Sequence, residues 1–298
     1  MQEQIEFMRR TYFTILFLSV TFFSKAQQDY IATINAWHEQ RIANLKKDNG
    51  WLNLVGLYWL KPGKNSFGSG ADMQVQFPKG TIPDEAGYFE VKGTTVTLHT
   101  NNKFAAQING TEKNDAIIFS ADSARPAMCS YGSLRWTIIK RDDKLGIRLR
   151  DLESKQQKEF TGIERFNVDS TFKVNAYLEK PQRSSISITN VLGQTNDLQT
   201  PGKLIFTLKG VRYTLDALEE GDQLFILFGD KTSGEETYPA GRFLYADKPG
   251  PDGTTILDFN KAYNPPCAFT PFATCPLPPK QNILPAAITA GEKNYEQH

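Results

Sequence analysis

The chain has 298 residues, 40% of them hydrophobic and 22% charged, a composition that belongs to folded globular proteins and excludes disordered, collagenous and multi-span membrane classes. Thirty-four Lys and Arg against 33 Asp and Glu leave a formal net charge of +1, so no global field exists to recruit nucleic acid or an anionic membrane.

At the N-terminus Arg9 and Arg10 precede an uncharged run from Tyr12 to Phe23, followed by Ser24-Lys25-Ala26. That order predicts a secretory signal peptide over 1–26 with a mature N-terminus at Gln27. The run is shorter than the roughly 20 apolar residues of a spanning helix, and later apolar stretches are shorter still, so no integral membrane span is expected. No cysteine follows the run to accept a lipid. A periplasmic or secreted protein is the expectation.

From Tyr30 to Lys47 the residues Ile31, Ile34, Trp37, Ile42 and Leu45 recur at helical spacing, predicting one amphipathic helix ended by Asn49-Gly50. The apolar stretch Trp51 to Leu60 reads as buried, with Trp51 and Trp59 packed in a core in preference to forming a ligand platform. Beyond Pro62 the helical period gives way to short alternating runs separated by Gly, Asn and Asp. Hairpins are predicted for Tyr88 to Val91 with Thr94 to Leu98, Leu134 to Ile139 with Leu145 to Leu149, and Leu204 to Leu208 with Val211 to Leu215. Leu224 to Phe228 reads as a strand covered on both faces, and further strands are predicted at Phe172 to Leu178, Ser185 to Thr189, Arg242 to Tyr245 and Thr254 to Asp258. The cluster Lys140, Arg141, Lys144, Arg148 and Arg150, interleaved with Asp142, Asp143 and Asp151, reads as a solvated hairpin face and not as a nucleic-acid site. The fold class is therefore mainly β, an antiparallel sandwich or barrel-like sheets, with one N-terminal helix. Residues 27–298 read as a single unit, with a subdivision near 165–172 left open.

Ten prolines between Tyr238 and Tyr295 forbid regular central strands there and predict a long ordered loop, either a display site or a plug. Gly50-Trp51-Leu52, Gly56 to Leu60, Thr237 to Leu244, Asp258-Phe259-Asn260-Lys261-Ala262-Tyr263-Asn264-Pro265, Cys267, Cys275-Pro276-Leu277-Pro278-Pro279, Asn282 and Ala290-Gly291-Glu292-Lys293 resemble the domain-of-unknown-function family DUF1684. The resemblance implies candidate positions without roles, because the family carries no established activity.

Cys267 and Cys275 are separated by seven residues in this loop, and in an oxidising compartment a disulfide between them is the first expectation, with Cys129 left over as a small buried residue. A metal site using His38 or His99 with these cysteines lacks any ligand spacing, and a cysteine nucleophile lacks a legible base. Serine-hydrolase, nucleotide and zinc-protease signatures are missing from the sequence, and no cofactor or metal is implied.

What remains is a polar set at predicted turn points. Arg242 can fork onto an anion, Asn260 and Asn264 offer donors and acceptors, Tyr263 offers a flat face, and Asp258 and Glu292 can move protons. One expectation is a binding protein that holds a small polar or anionic ligand under the proline-rich loop. The alternatives are a hydrolase using Asp258 and Glu292 as acid and base, a structural envelope protein, and a purely structural use in which Asx turns hold Asp258 and Asn260 while Arg242 is the buried partner of Asp258 or Glu292.

Overall fold

A computed structural model describes residue 25 and residues 27–295, apart from 102–103, 123–124, 142 and 182. The signal peptide predicted over 1–26 lies outside the described residues except for Lys25. Two compact units emerge, each with its own hydrophobic core. Among the described residues, one comprises 44–161 with 269–273, and the other comprises those up to 43, 162–268 and 274–295. The sequence suggested one unit with a subdivision left open near 165–172, whereas the changeover lies between Thr161 and Gly162.

The first unit is a sandwich. Strands β1 (Leu54–Trp59), β6 (Ala106–Ile108), β7 (Thr111–Lys113), β9 (Cys129–Tyr131), β10 (Leu134–Arg141) and β11 (Lys144–Asp151) make one sheet. The other sheet holds β2 (Gly63–Gly68), β3 (Val75–Gln76), β4 (Gly87–Lys92), β5 (Thr95–Thr100) and β8 (Asp115–Phe119). Alternation along β4, β5 and β10 sends Phe89, Val96, Leu98, Trp136 and Ile138 inward, as a period of two requires. There Phe77 meets the Trp136 ring edge-on at 5.4 Å.

Two expectations in this unit are corrected. Trp51 and Trp59 are only half-buried, and the guanidinium groups of Arg148 and Arg150 lie 5.6 and 5.8 Å from the Trp51 ring. The basic hairpin is accordingly not wholly solvated. Lys140, Arg141 and Lys144 are exposed, but Arg150 donates to the Gly50 carbonyl and to Asn53 Oδ1, and burial lowers its pKa to about 10. Trp51 gives the two arginines an apolar, π-rich surface on which to shed water. A short helix, Lys155–Glu159, closes the unit; it is capped by Ser154, whose hydroxyl accepts from Gln157 N.

The second unit is built on a six-stranded antiparallel sheet from β12 (Lys173–Glu179), β15 (Gly202–Leu208), β16 (Val211–Glu220), β17 (Gln223–Phe228), β18 (Arg242–Asp247) and β19 (Thr254–Asp258). Its spatial order is β18-β17-β16-β15-β12-β19, and β18 and β19 at the two ends also lie against each other, so the sheet nearly closes into a barrel. The β15–β16 hairpin turns at Lys209 and Gly210, both with positive φ (50° and 80°), as a tight hairpin turn demands. Strand β17 buries Leu224, Ile226, Leu227 and Phe228, and even its other face carries Phe243 and Tyr245 against Phe225. A side hairpin pairs β13 (Ser185–Thr189) with β14 (Thr195–Gln199).

The predicted helix occupies 27–46, with Ile34, His38 and Leu45 buried along one face. It is not long and apolar enough to cross a membrane, and neither is any other helix among the described residues. The irregular proline-rich segment expected from Tyr238 begins only at Pro265, because β18 and β19 fit between Pro239, Pro249, Pro251 and Pro265 as the two end strands of the sheet; beyond Pro265 come 3-10 turns at Pro266–Ala268 and Lys280–Asn282. Asn282 fastens it to the barrel: its side chain donates to the carbonyls of Asp216 and Leu227 at 2.9 and 2.8 Å and accepts from Asp216 N at 2.7 Å.

Candidate functional site

Within the second unit, the helix over 27–46 and the ends of β12, β17, β18 and β19 enclose a cleft of about 560 Å³, a volume typical of small-molecule sites. Tyr30, Thr33 and Trp37 reach it from one helix face because their spacing of three and four residues stacks them along the helix. Lys173 and Asp258 reach it as directly opposed partners of β12 and β19. Tyr245, Lys261 and Tyr263 complete its wall, so aromatic faces, ammonium groups and carboxylates meet in one place.

Asp258 caps the turn Phe259–Lys261, accepting from Asn260 N at 3.2 Å. The Tyr30 hydroxyl donates to the same carboxylate oxygen at 2.8 Å, and burial followed by this hydrogen bond pushes the Tyr30 pKa far up, which keeps the hydroxyl protonated. Asn260 stands behind the wall, tied to the Asp169 backbone through both N–H and carbonyl. Tyr263 lies nearly parallel to Tyr245, with ring centroids 6.2 Å apart, and the Arg41 guanidinium sits 4.6 Å from its ring. The Tyr245 hydroxyl donates to Glu220 at 2.8 Å.

Glu292 is fully buried. One carboxylate oxygen faces Arg41 Nε at 3.3 Å and the other accepts from Asn264 N at 2.7 Å. Burial raises its pKa, with Arg41 opposing that shift. Asn264 is closed in by Arg41 and Lys293 as well, since Arg41 Nη2 donates to its carbonyl at 2.9 Å and its side-chain amide donates to Lys293 O at 2.7 Å.

Arg242 is a structural hub with no exposed surface. It pairs with Asp230, also wholly buried at the side chain, at 2.9 Å. Its guanidinium also donates to the carbonyls of Ile288, Ala290 and Glu292, so one side chain pins the C-terminal segment at three alternate residues. The partner expected from sequence was the Asp258 or Glu292 carboxylate; the observed one is Asp230, because the turn after β17 aims that carboxylate at Arg242 while Asp258 and Glu292 are satisfied elsewhere. Of the six polar residues, then, Asp258 and Tyr263 line the cleft, Asn260 supports it, and Arg242, Asn264 and Glu292 lie inside the unit. No residue of 265–279 forms part of its wall. Tyr30, Trp37, Arg41 and Lys173 escaped the sequence reading, since a helix face and a strand register become visible only when they face something.

A second depression of about 610 Å³, beside the β13–β14 hairpin, is lined by charged side chains such as Lys180, Arg183, Asp197 and Asp216, and includes no aromatic ring. Cys267 and Cys275 are free thiols here and not the expected disulfide. Their side chains hydrogen-bond to each other, and Cys267 N donates to Cys275 Sγ at 3.0 Å. That contact holds the sulfurs as neighbours without joining them. Cys129 is buried in the sandwich core, where desolvation pushes its thiol up to about 12. Among the described residues, no group of three or more His, Cys, Asp or Glu side chains is placed to hold a metal ion.

These features define a mainly antiparallel β protein in which a barrel-like unit carries an aromatic and polar cleft behind an N-terminal helix. Residues 158–293 match the profile of the DUF1684 family, described as proteins of unknown function. The match takes in β12 to β19 and the proline-rich segment, and leaves Gly50 to Leu60 outside it. An uncharacterised protein of Haloarcula marismortui, solved by solution NMR, is 32% identical; the similarity covers 48% of this chain and 82% of that one, with a TM-score of 0.40. No curated protein matches the chain.

Proposed function

We propose that this is an exported protein that binds a small polar ligand in the cleft formed by Tyr30, Trp37, Lys173, Tyr245, Asp258, Lys261 and Tyr263. The observation that carries this reading is the convergence of three elements, a helix face, opposed strand ends and a capped turn, on one 560 Å³ space of mixed chemistry. Aromatic walls supply contact area at low entropic cost, and the lysines and Asp258 supply orientation. Burial of Glu292 away from this wall supports binding over an acid–base pair with Asp258, because a proton shuttle has to reach its substrate. Export would also place Cys267 and Cys275 in an oxidising compartment, which favours their joining.

A thermal-shift panel of monosaccharides, sugar phosphates and free amino acids tests the binding reading. A ligand at one hundred times its Kd stabilises by about 2.7 kcal/mol, a readily measured shift. Trp37→Ala and Lys261→Ala, both at the cleft wall, are expected to abolish that shift while leaving the unliganded melting curve nearly unchanged. A panel without any hit, or a hit that survives both substitutions, would refute the cleft as the site. Intact mass of the exported fraction is expected to begin at Gln27, and an uncleaved cytoplasmic chain would refute export.

A further inference from the structure

We propose that Cys267 and Cys275 form a thiol–disulfide exchange couple in which Cys267 is the thiol that exchanges with a disulfide from solution and Cys275 is the resolving thiol. The co-reactant is a low-molecular-weight disulfide. The proposal goes beyond the disulfide itself, and purified protein tests it independently of export and of the cleft.

Three observations carry it. The two thiols already touch, with Cys267 N–H directed at Cys275 Sγ at 3.0 Å, so closing the bond requires no rearrangement of distant chain. Their exposures differ: Cys275 is 3% exposed, while Cys267 is only half-buried. Their anchoring differs as well. The Cys275 carbonyl accepts from Val191 N at 2.9 Å and Pro276 bridges to Asn190, which fixes Cys275 against the β13–β14 hairpin. Cys267 sits within a single 3-10 turn, Pro266–Ala268, and meets the Tyr238 hydroxyl.

Those differences assign the roles. Hydrogen bonds from the Cys275 thiol and the Tyr238 hydroxyl favour the Cys267 thiolate, while the hydrogen bond to Cys267 and then burial disfavour one on Cys275. In the first step the Cys267 thiolate attacks one sulfur of RS–SR, a Cys267–SR bond forms, and RS⁻ leaves. In the second step Cys275 gives its proton to the departing thiolate or to water and attacks Cys267 Sγ, which forms the internal bond and expels the second RS⁻. Two protein thiols are oxidised by two electrons and one RS–SR is reduced to two RSH. The reverse sequence, driven by excess RSH, reopens the loop that holds Phe269 and Thr270, both fully buried.

The test mixes the reduced full chain with oxidised glutathione, quenches with acid and reads intact and peptide masses. The parent is expected to lose two hydrogens and link the two peptides. Cys275→Ser is expected to accumulate one glutathione on Cys267, while Cys267→Ser reacts at Cys275 at least about tenfold more slowly than the parent reacts. Tyr238→Phe is expected to slow only the first step. Should a variant fold poorly, limiting alkylation of the reduced parent replaces it, with Cys267 expected to be labelled before Cys275. Labelling of Cys275 first, or glutathione settling on Cys275 at the parent's rate, would overturn the roles while leaving the disulfide intact. A parent that stays a dithiol in oxidising glutathione would overturn the couple and the disulfide together.

Discussion

Arg242→Met keeps most of the side-chain volume and removes the charge with every donor. The structure sets the size of the effect. Arg242 is fully buried, and it binds Asp230 together with three main-chain carbonyls on alternate residues of the C-terminal segment. Asp230 keeps other partners after the substitution, because Thr232 N, Thr232 Oγ1 and Ile288 N all donate to its second oxygen. The carbonyls of Ile288 and Ala290 have no such reserve on the Arg242 side. Breaking a buried ion pair from one end costs about 3–5 kcal/mol, a fifth or more of the roughly 5–15 kcal/mol that hold a folded unit together. For a unit of this size a loss of about 4 kcal/mol lowers the melting midpoint by roughly 8–16 °C. Thermal unfolding followed by circular dichroism at pH 7 reads it directly. Asp230→Asn alone leaves a buried guanidinium without its counter-charge, so the double variant is expected to cost less than the sum of the singles, by about 0.5–3 kcal/mol. A midpoint change below about 3 °C, or strict additivity, would refute the hub.

Glu292→Gln tests the buried carboxyl through pH. Burial raises the folded pKa above the ordinary 4.5, so the proton-linked stability is fully present below 4.5 and is lost as pH rises through the raised value. Glutamine has no such dependence, and the stability advantage of the parent over the variant is expected to shrink from pH 4.5 towards neutrality; an advantage that grows would reverse the assignment. Gly291→Ala is expected to destabilise by more than about 1 kcal/mol in urea titrations, since φ is +79° and a methyl group there would sit 2.4 Å from the Ala262 carbonyl oxygen. Arg150→Met is expected to cost the sandwich unit about 1–3 kcal/mol through the stranded Gly50 carbonyl and Asn53 amide oxygen. A loss near zero would return that hairpin face to solvent.

The amino-acid sequence by itself determined the hairpins β4–β5, β10–β11 and β15–β16, whereas β2, β3, β6 to β9 and β14 were not legible in it. Alternation over Tyr88 to Leu98 and over Leu134 to Leu149, with Lys209-Gly210 at a turn, is local information, and the hairpins that resulted carry those residues in the expected faces. Its proline pattern over Tyr238 to Tyr295 foretold irregular chain only from Pro265 onward, because β18 and β19 fit between the earlier prolines, and proline removes a ladder donor only where it sits. Side-chain partnership was decided only by the tertiary structure. Nothing local distinguishes an arginine bound for the interior from one bound for solvent, and Arg242 found Asp230 twelve residues earlier only because β17 and β18 pair. Likewise Asp258 and Tyr263 share a wall with Tyr30 and Trp37 although more than two hundred residues of sequence separate them. A cleft exists only where distant surfaces come to face each other, and the burial that raises the Glu292 pKa or the contact that pairs Cys267 with Cys275 is a property of packing, to which single residues contribute only their chemistry.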